Sequence, residues 1–458
     1  MVETTIPVHD PYTVREGEAM PAPTTWKQRL RHLGPSIVIA GSIVGSGEII
    51  LTASLGAAVG FALFWWVLLS CWVKSLTQAE LSRYVLVSGD TYQHAMNRLP
   101  FKLPGPKGPV AWPLYLFVVA QVPGIMGLGG IVGGAGQALN LLFPGFSAIW
   151  ATAFVALLCA VLLVSGSYRL LERVMLTLVL SFTFATLVCA ITMQFTEYGI
   201  SGADLVSGFS FEFPAGVLVL ALSVYGYTGV NSGEISAYTF WCIEKGYPSR
   251  IGPSQAPGWE ERAKGWIKVL QADVWVTLLI LTLATIPFYV LGAGVLHALG
   301  ERPEGTDTIS ALSNMFTHTL GPWAVWLFAI GAFCILFSTT LAGFAGQARY
   351  IADLIIELGF VDRSRIDFRK KFIRFWCVGS PFLAFGFYLW IQNPVLLVII
   401  GALTAALFLP LQTGAVLWLQ ANVMDQRVRP RPAIRFALWG IFVFEAAMAL
   451  LVVRYVVF

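Results

Sequence analysis

Residues 36–58 read SIVIAGSIVGSGEIILTASLGAA, an apolar run that carries a single charge, Glu48. A bilayer core takes about 20 residues of helix, so this run is long enough to span one. Near its middle stands Gly45-Ser46-Gly47-Glu48, two poor helix formers beside a carboxylate. A second apolar run, 215–242, contains Asn231-Ser232-Gly233-Glu234. Ser-Gly-Glu twice inside apolar runs is expected by chance well under once in such a chain. A carboxylate inside a span costs a few kcal/mol even on lenient insertion scales (~2.5–3.5), so both glutamates are functional candidates.

The rest of the chain explains why these exceptions stand out. Of 458 residues, 57% are hydrophobic and 12% charged, and mean hydropathy is +0.73. Soluble domains carry roughly 25% charged residues. The composition excludes a soluble globular protein, a disordered chain and a disulfide scaffold, and predicts an all-α polytopic membrane protein. Eleven apolar runs are long enough to span: 36–58, 61–82, 111–138, 147–165, 171–193, 215–242, 269–297, 321–348, 372–391, 394–418 and 436–456.

Basic residues set the orientation. With the N-terminus cytoplasmic, one set of loops holds Arg83, Arg98, Lys102, Lys107, Lys245, Arg250 and the dense Arg363–Arg374 stretch, and the opposite loops hold almost no basic residues. That predicts an external C-terminus and, most simply, a plasma (inner) membrane. The basic residues are then a topology signal and no nucleic-acid surface. Residues 1–34 form an expected cytoplasmic tail with no cleavable signal, followed by an uncleaved first span. Lys74 and Glu80, late in the second run, are expected near a headgroup region, and Arg363–Arg374 is expected to be solvated.

Under this topology the two Ser-Gly-Glu copies lie on spans of opposite direction. Residues 35–193 and 215–418 then form two inverted five-helix repeats, with 436–458 as an added eleventh helix. Broken first helices at the centre of inverted repeats are where secondary transporters hold substrate. Gly45, Gly47 and Gly233 favour the break, and Ser46 and Ser232 are expected to cap the restarting helices. Freed carbonyls at Gly45 and Val230, with Asn231, Glu48 and Glu234, make an oxygen-rich nest for a cation. Close packing of small residues is the competing reading of the glycines. Glu445, outside the ten-span core, is read as a structural contact.

Cys71, Cys159, Cys189, Cys242, Cys334 and Cys377 are scattered and read as small hydrophobes. His9, His32, His94, His297 and His318 sit in the tail, in loops or at span ends. A serine nucleophile at Ser46 therefore has no histidine base in any span, and no enzyme or cofactor is expected.

The stretch Gly34-Pro35 through Gly56-Ala57-Ala58-Val59-Gly60-Phe61 resembles the first span and turn of the Nramp divalent-metal transporters. Ala138–Phe143, Ser338–Gly343 with Gly346-Gln347, and more weakly Leu407–Leu411 continue the resemblance in order. It implies a Leu-transporter-type fold with broken helices 1 and 6, a divalent metal ion as substrate and protons as coupling partner. The departures are chemical. Where the family has Asp-Pro-Gly-Asn, this chain has Gly45, Ser46, Gly47 and Glu48. Where the family has a Met, either Asn231 or Val230 stands, so the thioether is absent in both registers. Leu128 and Ile131 replace the two acids of the family's third span. These changes resemble a divergent branch near the Nramp-related magnesium transporters. They favour a hard ion such as Mg²⁺ or Mn²⁺. An ion-coupled carrier of a small amine or amino acid is the alternative on the same scaffold. Oligomeric state is not encoded in any feature of the chain.

Overall fold

The computed structural model describes residues 12–14, 17–32, 45, 47–165 and 168–457. Gly34, Pro35, Gly41 and Ser46, with the first part of the 36–58 run, lie outside the described residues. Among the described residues, seven helices are long and apolar enough to cross a membrane: Trp112–Leu142, Thr177–Phe195, Trp259–Leu299, Ala324–Glu357, Asp367–Ile391, Pro394–Asn422 and Pro432–Val456. Gly47–Val59 and Ala148–Val164 are shorter apolar helices. The chain is a multi-pass integral membrane protein.

Nine elements position the site. The first is α1 (Gly47–Val59), wound as a π-helix over Gly47–Thr52 and as an α-helix from Ala53. Single-turn π segments of this kind recur at functional sites. Next come α2 (Phe64–Ser88) and α3 (Gln121–Leu142). The run at 215–242 divides into α4 (Leu218–Tyr227) and α5 (Ser232–Glu244). Long helices α6 (Trp259–Leu291), α7 (Ala324–Glu357), α8 (Pro394–Asn422) and α9 (Pro432–Val452) complete the set.

Helix α3 is the hub: it packs on α7 and α8, and α8 in turn packs on α4 and α9. Small residues permit this crowding, because without a hydrophobic drive between helices in lipid, association depends on close contact. A Cβ at Gly127 would lie 2.5 Å from the Tyr227 hydroxyl and 3.0 Å from the Gly401 Cα, so α3, α4 and α8 meet only with glycine there. Helices α1 and α6 approach similarly, with Gly56 against the Tyr289 carbonyl. The glycines therefore serve packing and break alike.

The loop expected after 297 carries a helix of its own, Thr308–Leu320, whose apolar face is buried. Ile309 donates its backbone N–H to Gln137 Oε1 on α3 (3.2 Å), and Gln137 Nε2 donates to Gly305 O (3.1 Å). The only strand pairing among the described residues is a two-residue antiparallel ladder, Lys102–Leu103 with Val110–Ala111.

The basic end of the bundle is more ordered than the sequence suggests. Arg369, expected to be solvated with its neighbours, is only 9% exposed at its side chain and donates to Asp353 at 2.5 Å. It also lies over the Tyr12 ring at 4.2 Å. Tyr12 and Arg349 both donate to Glu244 Oε1, each at 2.6 Å. Tyr12 thus contacts the end of α5 and the Ile366–Ile391 helix, and Met20 O accepts from Trp266 Nε1 on α6 at 3.2 Å. All six cysteines are buried.

Candidate functional site

A break inside an apolar run leaves backbone donors and acceptors without helical partners, and each needs another one. After Tyr227, Thr228 turns to extended geometry, Gly229 adopts φ +75°, and α5 restarts from Asn231. Glycine is required at 229 twice over. The positive φ disfavours other residues, and a Cβ would sit 2.9 Å from the Cα of Cys71 on α2.

Several of the freed groups find side-chain partners. Gly229 donates its N–H to Glu48 Oε1 at 3.2 Å. Asn231 Oδ1 accepts from Glu234 N (2.9 Å), while Glu234 Oε2 accepts from Asn231 N (3.0 Å), a reciprocal capping box. The cap is therefore Asn231, one residue before the serine expected to fill that role. Ser232 opens the first turn instead, and its carbonyl accepts from Gln412 Nε2 at 2.9 Å. A carboxylate at the third position also suits the positive end of the helix dipole.

Glu48 is fully buried, and both its oxygens are engaged. Oε2 accepts from Gly45 N at 2.9 Å and Oε1 from Gly229 N, so the carboxylate ties the start of α1 to the break between α4 and α5. Around it, Thr52 donates to Gly47 O (2.8 Å), and the Thr228 hydroxyl lies 2.9 Å from Thr52 Oγ1 and 3.3 Å from Gly47 O, with one proton to give to either.

The carbonyl side of the break is claimed by Lys74. Its Nζ donates to Tyr225 O at 2.5 Å and to Thr228 O at 2.6 Å, and the residue is 0% exposed. This overturns the headgroup placement. Lys74 stands ten residues after Phe64 and fourteen before Ser88, too far from either end of α2 for its four-carbon stem to reach an interface. Glu80 is buried too, accepting from Arg83 (2.8 Å) and Gln420 (2.9 Å). Glu445 is 0% exposed and accepts from Thr413 at 2.5 Å; Thr413 and Thr77 share a bond of 2.8 Å.

A cavity of about 200 Å³ ends on this region. Gly47, Asn231, Ser232, Gly233 and Glu234 lie in its wall with Tyr227, Thr339 and Gln412. It extends past Phe117, Gln121, Trp241, Gln347 and Tyr350, toward the ends of α3, α5 and α7 that adjoin the basic loops. Farther along the same face of α3, a Cβ at Gly134 would meet Leu336, Ile50 and Ile309, all fully buried, so apolar packing follows the cavity there.

Of the residues predicted from sequence, five reach the cavity. Gly45, Glu48 and Val230 are buried without lining it, and Ser46 lies outside the described residues. Glu234 is the single carboxylate in the wall, which contains no His, Cys or Met. Among the described residues, no three His, Cys, Asp or Glu side chains gather as a metal cluster. What the wall offers instead is one carboxylate with amide and hydroxyl oxygens from Asn231, Gln412, Thr339, Ser236 and Tyr227. Leu128 and Ile131 line it as apolar surface. Lys74 and Gln412 were missed by sequence reasoning. Lys74 falls late in the 61–82 run, and its depth follows only from a helix that continues to Ser88.

The family model described as Natural resistance-associated macrophage protein-like matches residues 36–454. An uncharacterized protein of Pasteurella multocida (strain Pm70) is 27% identical over 334 residues, 71% of this chain and 71% of its own length. The metal transporter Nramp3 of Oryza sativa subsp. japonica is 23% identical over 350 residues, 74% of this chain but 59% of the longer relative. A crystal structure of an Eremococcus coleocola manganese transporter shares the fold, with a TM-score of 0.67, 14% identity, and coverage of 96% of this chain and 89% of that one.

Proposed function

This chain belongs to the Nramp family, and from that premise we propose that it is a secondary transporter of a hard divalent cation, Mg²⁺ or Mn²⁺ in character. The observation that carries the reading is the cavity that ends on the Asn231–Glu234 capping box with an all-oxygen donor set. Hard cations prefer carboxylate, carbonyl and water oxygens, and softer ions prefer thiolate or thioether. Mg²⁺ gives up its waters reluctantly and is commonly held by one or two carboxylates. One carboxylate and a ring of neutral oxygens suit such a partly hydrated ion.

In this proposal Glu234 and Asn231 touch the ion. Glu48, with the carbonyls of Gly45 and Val230, stands behind the wall and joins the site when the Glu48–Gly229 bond opens during alternation. Ser232 and Gly233 shape the restart of α5. The two halves 35–193 and 215–418 rock against each other about this point, with 1–34 and the basic loops cytoplasmic, the C-terminus external and the plasma membrane as location. Protons are the proposed coupling partner; Leu128 and Ile131 are apolar, so the route uses the deep glutamates. The ion is cargo, and the proposal assigns no resident cofactor and no enzymatic step.

The test is uptake by purified protein in proteoliposomes. Glu234→Gln abolishes Mg²⁺ and Mn²⁺ uptake if the reading holds, and unchanged uptake refutes it. The aromatic wall at Tyr92, Phe117, Trp241, Tyr350 and Phe408 favours one competing cargo, an organic amine held by cation–π contact. A thermal-shift screen of divalent ions against amines and amino acids separates the two.

A further inference from the structure

Lys74 is the one basic side chain at the helix breaks among the described residues, and the proposed transport cycle does not use it. Removing an ammonium from water costs several kcal/mol unless compensated, so its position demands an account. Compensation is visible. Tyr225 O and Thr228 O, the two acceptors, belong to the last turn of α4 and its cap, where unpaired carbonyls give a helix its negative end. The ammonium lies 5.1 Å from the centre of the Tyr225 ring. The charges of Glu48, Glu234 and Glu445 all act on it, and Cys71 is its other titratable neighbour. Backbone carbonyls at an unwound helix, beside hydroxyls and carboxylates, are the surroundings in which transporters bind a monovalent coupling ion.

We propose that the Lys74 ammonium is a tethered cation that fills a monovalent-cation subsite made by the Tyr225 and Thr228 carbonyls, so that the chain folds and cycles with no bound Na⁺ or K⁺ at the α4 break. The subsite is separate from the cavity wall: Lys74, Tyr225 and Thr228 do not line the cavity that ends on Glu234. A merely structural staple needs hydrogen-bond donors at these carbonyls; a cation subsite needs charge, and a free ion can replace the lysine.

The inference extends the reading of the broken helix as a cation site, but its test uses no divalent ion. Purified full-length protein is melted in choline chloride, NaCl and KCl at equal ionic strength. Wild type is expected to melt at the same temperature in all three. Lys74→Ala is expected to lose at least about 5 °C in choline and to regain most of it in Na⁺ or K⁺, saturably, as binding linkage requires. Lys74→Arg should remain indifferent to the cation. If Lys74→Ala does not fold in any salt, Lys74→Gln, which keeps a donor but no charge, decides the matter by the same criterion. Absence of a cation-specific gain in both uncharged variants overturns the proposal, as does an equal Na⁺ or K⁺ gain in wild type. Divalent uptake is measured separately, so the transport reading can fail while this one stands, and the reverse.

Discussion

Glu48 Oε1 accepts the backbone N–H of Gly229 at 3.2 Å, joining the start of α1 to the break between α4 and α5, 181 residues away. The bond makes the carboxylate a structural tie as well as a charge. Glu48→Gln keeps one oxygen but sets an N–H against either Gly45 N or Gly229 N. An unsatisfied buried donor costs about 1–3 kcal/mol, so thermal or denaturant unfolding should show a loss of that size. Because Glu48 does not line the cavity, divalent uptake should weaken without vanishing. Glu234→Gln should have the opposite profile, with uptake lost at a smaller stability cost.

Asn231 has a double role as cap and as proposed ligand. Asn231→Ala should destabilise by about 1 kcal/mol through loss of the N-cap and should lower cation affinity. Asn231→Asp keeps a good cap but sets a second carboxylate beside Glu234, so stability should hold with a divalent ion bound, while divalent affinity rises. Unfolding and equilibrium binding on the same two variants check this. Equal stability of the two would contradict the capping role.

Glu445 reaches from α9 to Thr413 on α8, which is bonded in turn to Thr77 on α2. The proposal gives it a packing role. Glu445→Gln should change stability by about 1–3 kcal/mol, with the apparent affinity for the transported cation within about twofold of wild type by an uptake titration.

The Arg369–Asp353 pair ties the Ile366–Ile391 helix to α7, and Asp353 is fully buried. Arg369→Ala strands that carboxylate, at a cost of about 3–5 kcal/mol. Arg369→Met with Asp353→Asn should recover much of it, because replacing a buried pair is cheaper than halving it. Unfolding of the three proteins measures the difference.

Much of the fold was legible because a bilayer makes apolar run length and loop charge decisive. The break in 215–242 was also legible, since glycine and a carboxylate have few other reasons to sit inside a span. The exact cap was harder to read. Asn231 and Ser232 are both good caps, and only the φ of Gly229 and its contact with α2 set the register. Lys74 was misread because snorkelling is a sound default for lysine near a span end. Its depth in α2 became clear only once the helix proved to run from Phe64 to Ser88. The partition of the glutamates, Glu234 in the cavity wall and Glu48 behind it, depends on packing between distant helices that no local pattern encodes.

The central claim is that a divalent cation is held at Glu234 and Asn231. The most direct measurement is anomalous diffraction from crystals of the protein soaked in Mn²⁺. The account predicts one strong peak in the cavity, within about 2.0–2.6 Å of a Glu234 carboxylate oxygen, the range spanned by Mg²⁺ and Ca²⁺ ligation, and its loss in Glu234→Gln. A cavity without a peak at saturating Mn²⁺, or a peak that survives in Glu234→Gln, would contradict it.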